Sequence, residues 1–346
     1  MEGYKNDMIS SIAYQNILFK TTIKDILETK SLNNRSQLIS ISAHDNVGNA
    51  LTLLSRNGLF SAPVFKEDEE SRSNCQSYNY LGMIGIHEIV EYLLGFFKNR
   101  QTVDTVVGPI QVDSWRDISS TLNTDVFQNT PIIDIINLSR KDYHPSKLYI
   151  NDNLAMFART MCLTRFNRLP VFQDDKVIGM VSATDLLERL LYVSKLPSIY
   201  HTAIGALPKE VNFAIDQYVS VTDDTCTAAA FNLMESQCKQ AILVTDSHSG
   251  KIVSNFSLSD LKGAITEDLK LPLSEYLCKY KPKDHPLKSI GKDQSIEDAI
   301  RLLVDSHVHG IWITKEMKTP NDIQGYLSVK TLIGFIHQTV QIISQL

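Results

Sequence analysis

No stretch of this 346-residue chain approaches the ~20 consecutive apolar residues that a membrane-spanning helix needs. The opening residues, MEGYKNDMISSIAYQ, lack the basic start and apolar core of a secretory signal, so none is expected. Cysteine is sparse: Cys75, Cys162, Cys226, Cys238 and Cys278 are odd in number, far apart and never arranged as CxxC. That pattern offers neither a disulfide nor a zinc framework, and it fits a reducing compartment, cytoplasm or nucleus. Basic charge is not in surplus either. A net charge of -5 argues against a nucleic-acid binder, because neutralising phosphates calls for a basic face. Catalytic signatures are missing: there is no Gly-rich phosphate loop of the P-loop or dinucleotide type, no GxSxG and no HExxH. The expectation is a regulatory or binding protein rather than an enzyme, with no membrane and no nucleic acid among its partners.

What the chain does contain is repetition. "KLYINDNLAMFARTMCLTRFNRLPVF" predicts a short strand at Leu148–Ile150 and then a helix with Leu154, Phe157, Ala158 and Met161 on one face. Strands at Leu169–Phe172 and Val177–Val181 follow, separated by a polar turn. A helix from Ala183 then carries Leu186, Leu187, Leu190 and Leu191 on its apolar side. The order is β-α-β-β-α. It recurs in "LISISAHDNVGNALTLLSRNGLFSAPVF" with "YLGMIGIHEIVEYLL", in the stretch from Tyr218 to Ile265, and from Leu287 to Ile336. Pro63, Pro170, Leu243 and Trp312 take equivalent positions in the middle strands. The boundaries read as an N-terminal segment with repeat 1 at 1–97, carrying a loop insertion at 66–80, and a linker at 98–129. Repeat 2 follows at 130–195, repeat 3 at 196–268 and repeat 4 at 269–346. The acidic run Glu67–Glu70 reads as a solvated loop.

"RLPVFQDDKVIGMVSATDLLERL" resembles the core of a cystathionine β-synthase (CBS) domain, and "LFSAPVF" with "YLGMIGIHEIVEYLL" resembles another. The resemblance implies an α/β (α+β) fold in which four CBS repeats pair into two Bateman modules forming a disk, with clefts between paired repeats. Four such repeats and little else resemble the gamma regulatory subunit of the AMP-activated/sucrose-non-fermenting kinase family. The long insertion in repeat 1 is similar to gamma-like proteins of plants and other non-animal lineages. The implied partners are the catalytic and scaffold subunits of a protein kinase. The implied ligand is AMP, ADP or ATP, with no cofactor required. An interaction scaffold with degenerate pockets, regulating another enzyme, is the alternative.

The family signature is Ser or Thr at the end of the last strand, followed three residues on by an Asp that accepts hydrogen bonds from ribose hydroxyls. Ser182-Ala-Thr-Asp185 and Ser257-Leu-Ser-Asp260 match it. Gly85-Ile-His-Glu88 lacks the hydroxyl and lengthens the acid, and Ser328-Val-Lys-Thr331 lacks the acid. Occupancy is expected only beside Asp185 and Asp260. Chemically, a helix N-terminus with its free N–H groups suits a polar ligand. The same Ser-x-x-Asp spacing is also a capping box, which serves helix stability alone, and both readings stay open. Phosphates need cations. The family places them just before the middle strand, which nominates Arg165 and Arg168 in repeat 2, Lys239 in repeat 3 and His309 in repeat 4. Gly310 stands where an Arg is expected after His309. A metal site at His307 and His309 lacks a third ligand.

Overall fold

A computed structural model describes residues 12–32, 38–67, 78–89, 92, 129–139, 147–193, 196–207, 217–261, 266–281, 287–315 and 322–344. Cys75, the acidic run beyond Glu67 and almost all of the linker lie outside them.

Four three-stranded sheets carry the repeats: β1 (Ile41–Ser42), β2 (Ser61–Glu67) and β3 (Tyr78–Gly85); β4 (Leu148–Tyr149), β5 (Arg168–Gln173) and β6 (Lys176–Ser182); β7 (Ser220–Thr222), β8 (Ala241–Thr245) and β9 (Ile252–Ser257); β10 (Ser289–Gly291), β11 (Gly310–Thr314) and β12 (Ile323–Ser328). In each sheet the first strand pairs parallel with the middle one, and the middle one antiparallel with the last. A register shift falls at the same place in every repeat, between Val64/Phe65, Val171/Phe172, Val244/Thr245 and Ile313/Thr314. Pro63, Pro170, Leu243 and Trp312 face Met83, Met180, Asn255 and Tyr326, so the expected equivalence holds. The flanks of the expected loop insertion are strand instead, because Lys66 and Glu67 pair with Asn79 and Tyr78.

The helices follow from apolar spacing and from caps. α1 (Ile12–Lys20) and α2 (Ile23–Leu32) precede repeat 1. Within the repeats lie α3 (Val47–Arg56), α5 (Leu154–Cys162), α6 (Ala183–Leu191), α7 (Thr227–Ser236), α9 (Ile296–Ser306) and α10 (Val329–Ser344). α4 (Ile132–Ser139) leads into repeat 2, and α8 (Leu273–Tyr280) leads into repeat 4. Asn46, Asn153 and Ser295 cap α3, α5 and α9, each side chain accepting the N–H three residues on. Helix C-termini turn out through left-handed residues at Gly58, Cys238 and His307.

Two compact units emerge, and neither is a consecutive pair of repeats. One comprises residues 1–38, 145–218 and 287–346, which joins repeat 2 to repeat 4. The other comprises 39–144 and 219–286, which joins repeat 1 to repeat 3. In the first unit α5 packs on α10 and α6 on α9, burying Phe157, Met161, Leu186, Leu190, Ile300, Leu303, Leu332 and Ile336. In the second, Leu51, Leu54, Ile84 and Ile86 pack with Phe231, Met234, Phe256 and Tyr276. The segment that leads into each repeat docks on a different one. Thr22 bridges to Asn153, Pro131 to Asn46, Ala203 to Ser295 and Pro272 to Cys226. Among the described residues no helix is long and apolar enough to cross a membrane.

Candidate functional site

Every repeat ends in one junction, where the last strand enters the closing helix. The first free helical N–H is satisfied from the residue ahead of the middle strand. Ile86, Ala183, Leu258 and Val329 donate to the carbonyls of Phe60, Asn167, Gln240 and His309, at 3.0, 2.7, 3.2 and 2.9 Å.

In repeat 2, Ser182 caps α6 and forms the full reciprocal capping box with Asp185. Asp185 Oδ2 accepts from the Ser182 N–H at 2.5 Å and from its hydroxyl at 2.8 Å. A third donor comes from α2: Lys30 Nζ lies 2.8 Å from the same oxygen and 3.2 Å from the Met180 carbonyl. Repeat 3 builds the same cluster on a 3-10 turn, Leu258–Leu261, where a helix is expected from sequence. Asp260 Oδ2 accepts from the Ser257 N–H at 2.7 Å and its hydroxyl at 3.0 Å, and Lys281 Nζ sits 3.4 Å away. Lys281 also donates to the carbonyl of Asn255, the counterpart of Met180. Burial holds Lys281 below the ordinary lysine range, and the charge of Asp260 opposes that shift. Oδ1 of Asp185 and of Asp260 accepts no hydrogen bond among the described residues.

Of the expected cations, Arg168 joins this cluster. It pairs in register with Ser182, half-buried. Burial lowers its pKa, and the Asp185 charge counters that. Arg165 is exposed. In repeat 3 the residue facing Ser257 is Ala241, with Lys239 two residues upstream in the turn after α7. Lys239 makes no ion pair with Asp260; Lys281 supplies the cation there instead. Sequence reading missed Lys30 and Lys281 because both lie outside the repeats they serve.

Beside Asp185 opens a cleft of about 690 Å³ between α2, α6 and α9, walled by Lys30, Glu188, Arg189, Tyr192 and Arg301. Arg189 Nε is shut from solvent, with no hydrogen-bond partner among the described residues. Arg301 is held by Glu297, one turn earlier on α9.

Repeats 1 and 4 fill the junction differently. Glu88 is buried and uses its extra length to accept the Gly85 N–H at 2.9 Å. Thr331 hydrogen-bonds Ser328 Oγ at 3.0 Å through its hydroxyl. At Gly310, Tyr326 covers the place where a side chain would stand: a Cβ there would lie 2.0 Å from its hydroxyl oxygen. His309 contributes its carbonyl to the helix start, and His307 is the left-handed residue ending α9. Among the described residues no group of three His, Cys, Asp or Glu side chains is placed to hold a metal.

Comparison with known proteins agrees with this architecture. Residues 145–192 match the CBS domain family model. The chain is 21% identical over 367 residues to the SNF1-related protein kinase regulatory subunit gamma-like PV42a of Arabidopsis thaliana, spanning 90% of this chain and 99% of that one. It is 20% identical over 319 residues to the 5'-AMP-activated protein kinase subunit gamma of Dictyostelium discoideum, spanning 86% of this chain and 49% of that one. Among solved structures, a proposed archaeal homologue of the AMPK gamma subunit from Methanocaldococcus jannaschii superposes with a TM-score of 0.58 at 13% identity, covering 87% of this chain and 96% of that one. That likeness shows the fold. The chain thus carries a match to the CBS domain at residues 145–192 and is similar over most of its length to kinase gamma subunits.

Proposed function

We propose that this chain is a gamma-like regulatory subunit of a protein kinase complex, and that it binds AMP, ADP or ATP beside Asp185 and Asp260. The cleft next to Asp185 carries the reading. Among the described residues it sets a carboxylate oxygen without a hydrogen bond near a guanidinium whose enclosed Nε has no acceptor. A carboxylate oxygen accepts ribose hydroxyls. Arg189 lines the same cleft, and a guanidinium there can donate to an acceptor such as a phosphate oxygen. Arg168 adds positive charge beside Ser182. In repeat 3 the ligand group is Ser257 with Asp260. Arg165, Lys239 and His309 are assigned no role. Similarity to a gamma-like regulatory subunit over 90% of the chain supports a role without chemistry of its own. Nucleotide that favours one conformation of the subunit would bias the kinase bound to it.

The test is calorimetric titration of the protein with AMP, ADP and ATP. Saturable binding is expected, with Asp185→Ala and Asp260→Ala each removing one site. Absence of heat and of any thermal shift at ~1 mM nucleotide, a weak affinity limit, defeats the nucleotide reading. Affinity capture is expected to bring down kinase catalytic and scaffold subunits. The junctions at Glu88 and Thr331 favour a scaffold role for repeats 1 and 4, since Glu88 is buried on the Gly85 N–H and Thr331 offers no carboxylate.

A further inference from the structure

We propose that Lys30 and Lys281 are paired positioning residues, which neutralise Asp185 and Asp260 and hold Oδ2 so that Oδ1 faces an anionic nucleotide. This rests on the nucleotide reading above and adds how the two sites admit a negatively charged ligand.

The first observation is equivalence. Each lysine sits outside the repeat it serves, on the segment leading into another repeat, and each reaches the same two groups. Lys30 contacts the Asp185 carboxylate and the Met180 carbonyl. Lys281 contacts the Asp260 carboxylate and the Asn255 carbonyl. Counted from the bridging residues Thr22 and Pro272, the two lysines stand eight and nine positions on.

The second observation is that the cap does not need the lysine. Two further capping boxes in the chain show this. Asp25 Oδ2 accepts from the Thr22 N–H and hydroxyl at 2.7 and 2.9 Å. Asp298 Oδ2 accepts from the Ser295 N–H and hydroxyl at 3.0 and 2.7 Å. Among the described residues no lysine bonds to either carboxylate. At Asp185 the lysine adds a third donor to an oxygen the cap already satisfies, and at Asp260 it adds an ion pair at 3.4 Å. Its distinct effect is electrostatic. Both ion pairs are enclosed, with side-chain exposures of 16% and 15% in one and 13% and 13% in the other. A bare carboxylate in such a place repels a phosphate ester more strongly than it would in water, because screening is weak there.

The experiment titrates AMP and adenosine, which share the ribose and base and differ in charge, into the wild-type protein and into Lys30→Met, Lys30→Arg, Lys281→Met and Lys281→Arg. Lys30→Met is expected to weaken AMP about tenfold at the Asp185 site and adenosine less than about twofold, leaving the Asp260 site intact. Lys281→Met is expected to do the reverse. The Arg variants keep the charge and should restore most of the AMP affinity. Equal loss of AMP and adenosine, or no loss of either, overturns the proposal while leaving the nucleotide reading in place. A variant that loses both sites together has lost its fold, and the Arg variant then decides: AMP affinity no better than adenosine affinity there counts against the proposal. Wild-type protein that takes up neither ligand defeats the reading and the proposal together.

Discussion

Gly310 shows how a single residue can close one repeat to the chemistry of another. Its counterpart in repeat 2 is Arg168, since both face the serine that ends the last strand. In repeat 4 the Tyr326 ring leans over that place, packed against Trp312 with ring centroids 4.8 Å apart. Any side chain at residue 310 must displace it. Gly310→Ala is expected to lower stability by about 1–3 kcal/mol through overpacking. Gly310→Ala combined with Tyr326→Leu should recover part of that loss; denaturant melts of the two variants decide the matter. An additive effect of the two changes would mean that the clash is not the cause. The sequence made Arg168 visible, because its position before a middle strand is local information. It hid the reason for Gly310, which is a tyrosine sixteen residues on that only strand pairing brings across.

The contacts between helices of different repeats also rest on lysine. Lys330, in the first turn of α10, donates to the carbonyls of Met161 and Thr164 at 2.6 and 2.7 Å. It therefore satisfies free acceptors at the end of α5, where the helix dipole favours a cation. Repeat 1 places His87 at the same position, and its Nε2 lies 3.3 Å from Glu235 in the last turn of α7. Burial brings Lys330 down to about 8, while the nearby Cys162 works in the opposite direction. The sign of the pH effect follows. Above pH ~8 the folded chain has released a proton that the unfolded chain keeps to about 10.4, so stability rises with pH across that window. Chemical denaturation at pH 7.5 and 9.5 should show wild type gaining roughly 2 kcal/mol relative to Lys330→Met. A constant difference between the two proteins would show that Lys330 titrates normally. The helices themselves were legible from apolar spacing: Leu154, Phe157, Ala158 and Met161 are all buried, as are Leu186, Leu187 and Leu190. The closing helix of repeat 3 was not, because Leu258–Leu261 forms a 3-10 turn despite carrying the same Ser-x-x-Asp start. Lys30 and Lys281 were invisible for a related reason, since no local pattern says which repeat a leading segment will dock on.

The chain order and the packing order disagree, and the disagreement makes a strong prediction about fragments. The four repeats are legible because strand, turn, strand and cap are set by neighbours in sequence. Which repeat pairs with which is not, because all four apolar stripes are similar and the choice is made by contacts far apart in the chain. Repeat 2 shares its core with repeat 4, and the shared core is completed by Tyr14 and Leu18 from α1 and by Ile199 and Tyr200 from the segment ahead of repeat 3. At its centre Tyr14 Oη lies 2.5 Å from Tyr200 Oη and 2.7 Å from Thr339 Oγ1, so three distant stretches meet in one buried hydrogen-bonded cluster. Burial drives the Tyr14 hydroxyl up to about 12, which keeps it a neutral donor at any ordinary pH. Cutting the chain between residues 195 and 196 gives halves that look like natural modules, each with two repeats. Each half nevertheless owns only part of both cores. Residues 1–195 would leave Phe157, Met161 and Leu186 without Ile300, Leu303 and Leu332, and Leu54 and Ile84 without Phe231 and Phe256. Burying one such side chain is worth about 1.5–3 kcal/mol, so losing a whole facing set exceeds the 5–15 kcal/mol by which a typical domain is stable. Neither half alone is expected to melt cooperatively, and each should bind a hydrophobic dye and associate. Co-expressed halves should pair one to one and regain a single transition, which size-exclusion chromatography and circular dichroism will read. A half that unfolds cooperatively by itself as a monomer would mean that consecutive repeats, rather than alternating ones, are the units that hold this fold together.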